Sequence, residues 1–197
     1  MHKEFKKGLV WFRRDLRVHD NAALSTAILR CEEVLCVFVF DRNILDALPR
    51  HDRRVEFIQG SVVALDTELR ALAGTPEAGL IVLHASAEEA LPALARELQV
   101  DAVFMARDYE PYARQRDDTV RAALRARDVD LVAVKDHVIF EEREVLTQMG
   151  KPYGVFTPYM RAWLARLVLK PALHAFLFPF TINSPRSDTP ERASICG

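Results

Sequence analysis

The chain has 197 residues, half of them hydrophobic and 28% charged, which supplies a core for one domain of ordinary size and excludes wholesale disorder. Its 27 basic and 28 acidic residues leave a net charge of −1, without the basic excess of a dedicated nucleic-acid binder. Three cysteines, at 31, 36 and 196, form no paired framework and share no metal-ligand spacing, which predicts a reducing, cytoplasmic setting.

The charged start, residues 1–7, leads into an apolar run too short for a signal peptide. That run, Leu9 to Phe12, predicts a first strand, followed by a charged loop and a helix from Asn21 to Arg30 with Leu24, Ala27 and Ile28 on one face. Val34 to Phe40 is apolar at every position, as in a strand buried on both faces of a parallel sheet. Val55, Ile58, Val62, Leu65, Leu69 and Leu72 follow at spacings of three and four, one stripe on a long helix that Gly74 and Pro76 end. Leu80 to Leu83 is a third strand. Ser86 with Glu89 has the spacing of a capping box ahead of Ala90, Leu91, Leu94 and Leu98. A fourth strand spans Ala102 to Ala106, a charged helix Pro111 to Arg127, and a fifth strand Leu131 to Val134.

This alternation predicts an α/β fold: a Rossmann-like five-stranded parallel sheet with helices on both faces, occupying residues 1–135. Residues 136–170 read as a connector, irregular at first, with a turn cluster at Gly150 to Gly154 and a helix from Phe156 to Val168. Residues 171–197 carry Pro179, Pro185 and Pro190 without periodicity and read as an irregular, disordered tail. The apolar stretch Ala172 to Phe180 is well short of the ~20 residues of a membrane span.

Open parallel sheets bind ligands beyond the carboxyl ends of their strands. Three such ends are polar here: Arg13 to Asp20, Asp41 to Asp46, and Arg107 to Pro111. Together they offer guanidinium donors, carboxylate acceptors and an aromatic ring, which suits a planar, hydrogen-bonding, partly anionic ligand. The plain alternative is a set of solvated turns in which Arg13 and Arg17 pair with Asp15 and Asp20 at the surface. No phosphate-binding loop, GxGxxG or G-x-S-x-G elbow is present, and the six histidines show no metal pattern. His19 reads as a loop residue, His84 as a packing residue, Trp11 as core rather than a redox relay, and Cys36 as a small core hydrophobe.

Three segments in order resemble one family. Trp11 to Asn21 (WFRRDLRVHDN) resembles the opening motif of the DNA photolyase/cryptochrome family. Asp108-Tyr-Glu-Pro111, with Arg116-Asp117 after it, resembles the family's fourth-strand motif, and Gly150 to Trp163 the segment leaving its α/β domain. The resemblance covers residues 8 to about 168. It implies the N-terminal domain of a deoxyribodipyrimidine photo-lyase, a lyase that repairs pyrimidine dimers in light. There the α/β domain holds an antenna chromophore, while a C-terminal helical domain holds FAD and the DNA-binding face. The helical domain exceeds everything here, so a truncated product or N-terminal half is expected, inactive alone, with no catalytic residue and with DNA bound only through the absent domain. Self-association through the helix at 156–168 is a further expectation. Alternatives are a stand-alone nucleotide-binding α/β protein and a cryptochrome-type photoreceptor fragment.

The resemblance also implies which dye is held. Tyr112, Ala113 and Pro49 stand where folate-type members carry an Asn-Glu pair and a His. Asp108, Pro111-Tyr112, Arg54 and Gln59 match the pattern of deazaflavin-type members, whereas Ala106 replaces a family Asn. An 8-hydroxy-5-deazaflavin or flavin is therefore expected ahead of methenyltetrahydrofolate. Its ring would lie against Phe40, Ile44 and Ile58, with Asp108 accepting from ring N–H groups and Arg54 meeting a carbonyl or phenolate. Arg13, Arg14, Asp15, Gln59 and Glu110 complete the expected site.

Overall fold

The computed structural model describes residues 3–49, 51–75 and 78–168. Pro76 and the stretch 171–197 lie outside them. Among these residues five strands, β1 (Phe5–Phe12), β2 (Cys31–Asp41), β3 (Leu80–Ala85), β4 (Ala102–Ala106) and β5 (Asp130–Val134), form one sheet. The order is β3-β2-β1-β4-β5 and every pairing is parallel. β1 begins four residues ahead of its apolar run, because Gly8 lets it lie against Cys31 and Phe104. A Cβ there would meet the Cys31 Sγ at 2.5 Å.

The pleat sends alternate residues of β1 to opposite cores. Leu9 and Trp11 pack with α4 (Ala87–Leu98) and α5 (Pro111–Arg125), while Val10 and Phe12 pack with α1 (Ala22–Arg30) and α3 (Arg53–Ala73). Helices thus cover both faces, and the sheet reverses its winding at β1. A single turn, α2 (Arg42–Leu45), follows β2.

Some details differ from the sequence pattern. Ile28 is 46% exposed, since α1 turns the small Ala23 and Ala27 toward the sheet and approaches it closely. Leu72 is also exposed, in the last turn before the left-handed Gly74 cap. The Ser86 hydroxyl does not cap α4 but accepts a bond from the Asn43 amide at 3.3 Å, so the capping box is not formed. His84 is exposed on the edge strand β3 rather than packed. α5 ends at Arg125, two residues early. Cys31 and Cys36 are free and buried, and burial pushes the Cys36 thiol up to about 12.

One compact unit ends at Ile139 and a second begins at Phe140. The second holds α6 (Phe156–Val168), whose Trp163 meets Phe140 edge-on with ring centroids 5.5 Å apart. No helix of the described residues is long and apolar enough to cross a membrane.

Candidate chromophore pocket

The loop after β1 is organised from within. Asn21 is fully buried and caps α1, its Oδ1 accepting from the Leu24 N–H at 2.8 Å. Its amide donates to the carbonyl of Asp15 at 3.0 Å and to the carboxylate of Asp15 at 3.1 Å. The other Asp15 oxygen accepts the Arg13 N–H at 2.9 Å. Asp15 is therefore an internal strut of the loop and does not reach the pocket. Asp136 accepts from the Ala22 N–H at 3.0 Å and pairs with Arg17 at 3.0 Å. The Arg13 and Arg17 guanidinium groups thus find their carboxylates 104 and 119 positions away rather than at Asp15 and Asp20, and Arg17 meets Asp20 at its backbone carbonyl, 2.6 Å away. Two of the first three N–H groups of α1, those of Ala22 and Leu24, are also consumed by side chains, which occupies the usual phosphate cradle of this fold.

At the switch point between β1 and β4, the crevice is filled by charge. The Arg13 guanidinium donates to the Ala106 carbonyl at the end of β4 and binds both oxygens of Asp117 at 2.7 and 2.8 Å. These side chains are only 8% and 9% exposed. Burial lowers the Arg13 pKa from its ordinary value, against the pull of Asp117. Arg116 donates to Asp117 at 3.2 Å and stands 3.7 Å from Asp41. Asp41 in turn accepts the Tyr112 hydroxyl at 3.3 Å. Burial, then the nearby Asp41 charge, raises the Tyr112 phenol pKa.

Beside this plug lies a cavity of about 350 Å³. Its apolar wall comes from β2, α2, the loop after α2, and α3: Phe40, Ile44, Leu48, Val55 and Ile58. The upper end of the α3 stripe, half-buried at Val55 and Ile58, thus faces the cavity, while Val62, Leu65 and Leu69 are buried against the sheet. Its polar rim is Arg14, Asp108 and Glu110. Arg14 bridges Glu110 at 2.7 Å and Asp108 at 3.3 Å. Burial opposes ionisation of Asp108, but the Glu110 N–H, Arg14 and Arg13 together outweigh it and hold its carboxyl below the ordinary value. Arg54 also lines the cavity, and its guanidinium is 2.6 Å from Asp52, whose carboxyl it holds at about 2.

Of the ten residues expected from sequence, Arg13, Arg14, Phe40, Ile44, Arg54, Ile58, Asp108 and Glu110 line this one cavity. Gln59 lines a neighbouring cavity of about 490 Å³, which shares Leu45, Leu48 and Val55 with the first. Asp15 lines neither. Sequence reasoning missed Asp41 and Arg116 as wall residues and left Trp11 to the core. Trp11 is both buried and part of the wall. The available signal was the Arg116-Asp117 pair in mid-helix, where two adjacent charges on the buried face of α5 needed partners. Among the described residues no group of His, Cys, Asp or Glu is arranged to hold a metal ion.

The comparison with known families agrees with this architecture: residues 8–176 match the DNA photolyase family. The chain belongs to that family. It corresponds to the family's N-terminal domain, and its named relatives include deoxyribodipyrimidine photo-lyases. A deoxyribodipyrimidine photo-lyase of Synechococcus sp. is 33% identical over 158 residues, covering 80% of this chain and 32% of the relative. A class III photolyase structure from Agrobacterium tumefaciens superposes with a TM-score of 0.70 at 27% identity, covering 82% of this chain and 32% of that one. An archaeal photolyase from Sulfolobus tokodaii superposes with a TM-score of 0.61 at 29% identity, covering 70% and 32%. This chain therefore spans about a third of the length of these photolyases.

Proposed function

We propose that this photolyase-family domain holds a flat, conjugated antenna chromophore in the cavity beside β1, β2 and β4, and that the dye is of deazaflavin or flavin type rather than a folate. The carrying observation is the cavity's make-up: one apolar wall of Phe40, Ile44 and Ile58 faces a rim of paired charges at Arg14, Asp108 and Glu110. About 350 Å³ is near the lower end for small-molecule pockets, room for a fused ring system but not for a whole dinucleotide. The Sulfolobus tokodaii photolyase structure holds two FAD molecules, with the implication of a novel light-harvesting cofactor, which supports the flavin choice. The occupied α1 N-terminus speaks against the nucleotide-binding alternative.

When bound, such a dye absorbs light and passes its excitation on. The protein's part is to position it. Phe40, Ile44 and Ile58 exclude water from one ring face, Asp108 accepts from ring N–H groups, and Arg54 turns from Asp52 toward a ring oxygen. Repair of pyrimidine dimers belongs to the longer photolyases, and we propose that residues 1–197 by themselves do not split dimers; conversion of thymine dimers by this chain under blue light would refute that.

The binding test is a fluorescence titration of the purified chain with riboflavin, 8-hydroxy-5-deazaflavin and methenyltetrahydrofolate. The flavin-type rings are expected to bind more tightly than the folate. Asp108→Asn should weaken them about 10-fold or more, the worth of one charge-assisted hydrogen bond, and Ile58→Arg should abolish binding. Preferential folate binding overturns the choice of dye, and binding unaffected by Ile58→Arg overturns the site.

A further inference from the structure

We propose that Arg13 and Arg116 keep Trp11 from acting as an electron donor, so that a dye excited in the cavity retains its excitation; this rests on the chromophore reading above. Trp11 is 1% exposed, yet it lines the cavity. An indole in that place is a hazard to stored light energy. An excited flavin-type ring is an oxidant and can take one electron from an adjacent indole. The products are a dye radical anion and a Trp11 radical cation, with no bond made or broken. Return of the electron then dissipates the energy as heat.

The surroundings of the indole oppose that step. The Arg13 guanidinium stands 4.7 Å from the ring centroid and that of Arg116 4.9 Å. Both attract the neutral ring through its negative face. Both repel the positive charge that oxidation would create there, and with side chains 7–8% exposed they are weakly screened by water. Their partners Asp41 and Asp117 are equally buried, so the four charges sum to zero. Removing the Arg116 charge leaves a net −1 beside the indole and favours the radical cation.

The test uses riboflavin as the bound probe and reads its fluorescence lifetime. In the wild-type chain the lifetime should stay close to that of free riboflavin. Arg116→Gln, which keeps hydrogen-bond donors for the buried carboxylates, should shorten it several-fold and yield an indole radical in transient absorption. Arg116→Lys, which keeps the charge, and the double variant W11F/R116Q should both restore it. An independent arm places 5-hydroxytryptophan at position 11 of the otherwise unaltered chain. That more readily oxidised indole should quench the dye despite both arginines, so the outcome does not depend on R116Q folding. A wild-type lifetime already strongly quenched, equal lifetimes in wild type and R116Q, quenching that persists in W11F/R116Q, or no effect of 5-hydroxytryptophan each overturns the proposal.

A ligand-free readout separates this inference from the choice of dye. One-electron oxidation of the protein by radiolytic azidyl radicals, followed by mass spectrometry, compares products at Trp11 with those at Trp163. The ratio should rise several-fold in R116Q. A rise without any riboflavin binding refutes the chromophore reading and leaves the charge control of Trp11 standing. An unchanged ratio overturns the inference whatever binds.

Discussion

The Asp117 carboxylate is the keystone of the charged plug, and its replacement by asparagine tests whether that plug carries stability. Asp117 accepts two bonds from Arg13, at 2.7 and 2.8 Å, and two from Arg116, at 3.2 and 3.3 Å. An asparagine in its place would offer one acceptor oxygen, and its NH2 would face guanidinium groups that have only donors. Arg13 would then lose its bidentate partner, and Arg116 would keep only Asp41, 3.7 Å away. Breaking a buried pair from one side costs about 3–5 kcal/mol. With a urea slope of ~2 kcal/mol per molar, the midpoint should fall by about 1.5–2.5 M. Urea unfolding followed by far-ultraviolet circular dichroism measures this directly. A fall of less than about 0.5 M would show that the network is solvated and contributes little. The paired replacement of Arg13 by Met and Asp117 by Leu should recover most of the loss, because it removes the desolvated charges together.

Other expectations follow from the same geometry. Asn21→Ala removes the α1 cap and the amide donor to the Asp15 carbonyl and carboxylate, and should cost about 2–3 kcal/mol, a cap plus buried acceptors left without that donor, read by the same urea titration. The Asp52 carboxyl is held at about 2 by its Arg54 bonds and the Arg54 N–H, below its ordinary 3.8. A depressed folded-state value means that this capping contact is at full strength above about pH 4 and is lost as pH falls through about 2. A carbon-detected carboxyl titration should show that low midpoint in the wild type, and Arg54→Ala should return it toward the ordinary value. Cys36, with its thiol pushed up to about 12 inside the sheet, should resist iodoacetamide at about pH 8 in the native protein and react after urea unfolding. Rapid labelling in native buffer would contradict the burial of β2.

The amino-acid order alone determined the elements: apolar runs with helical stripes between them force parallel strands covered on both faces. α6 was also legible, at Phe156–Val168, because a turn cluster at Gly150 to Gly154 precedes its run of Met160, Trp163, Leu164 and Leu167. The charged rim of the pocket was legible for the same reason, since charged motifs at strand ends converge once the strands are parallel, whereas Phe40, Ile44, Arg54 and Ile58 were expected only from the family resemblance. Only the tertiary structure decided which charge meets which. Arg13 and Asp117 are 104 positions apart, and Asp41 and Tyr112 are 71 apart. They meet because β1 lies between β2 and β4, a strand order that no local spacing encodes. Asp15, close behind Trp11 in the opening motif, turned inward to serve Asn21, since a buried N-cap amide needs an acceptor and the Asp15 carboxylate lies within its reach. Local pattern sets what each segment becomes; desolvation and long-range pairing set which of its charged groups face the cavity and which are spent holding the walls in place.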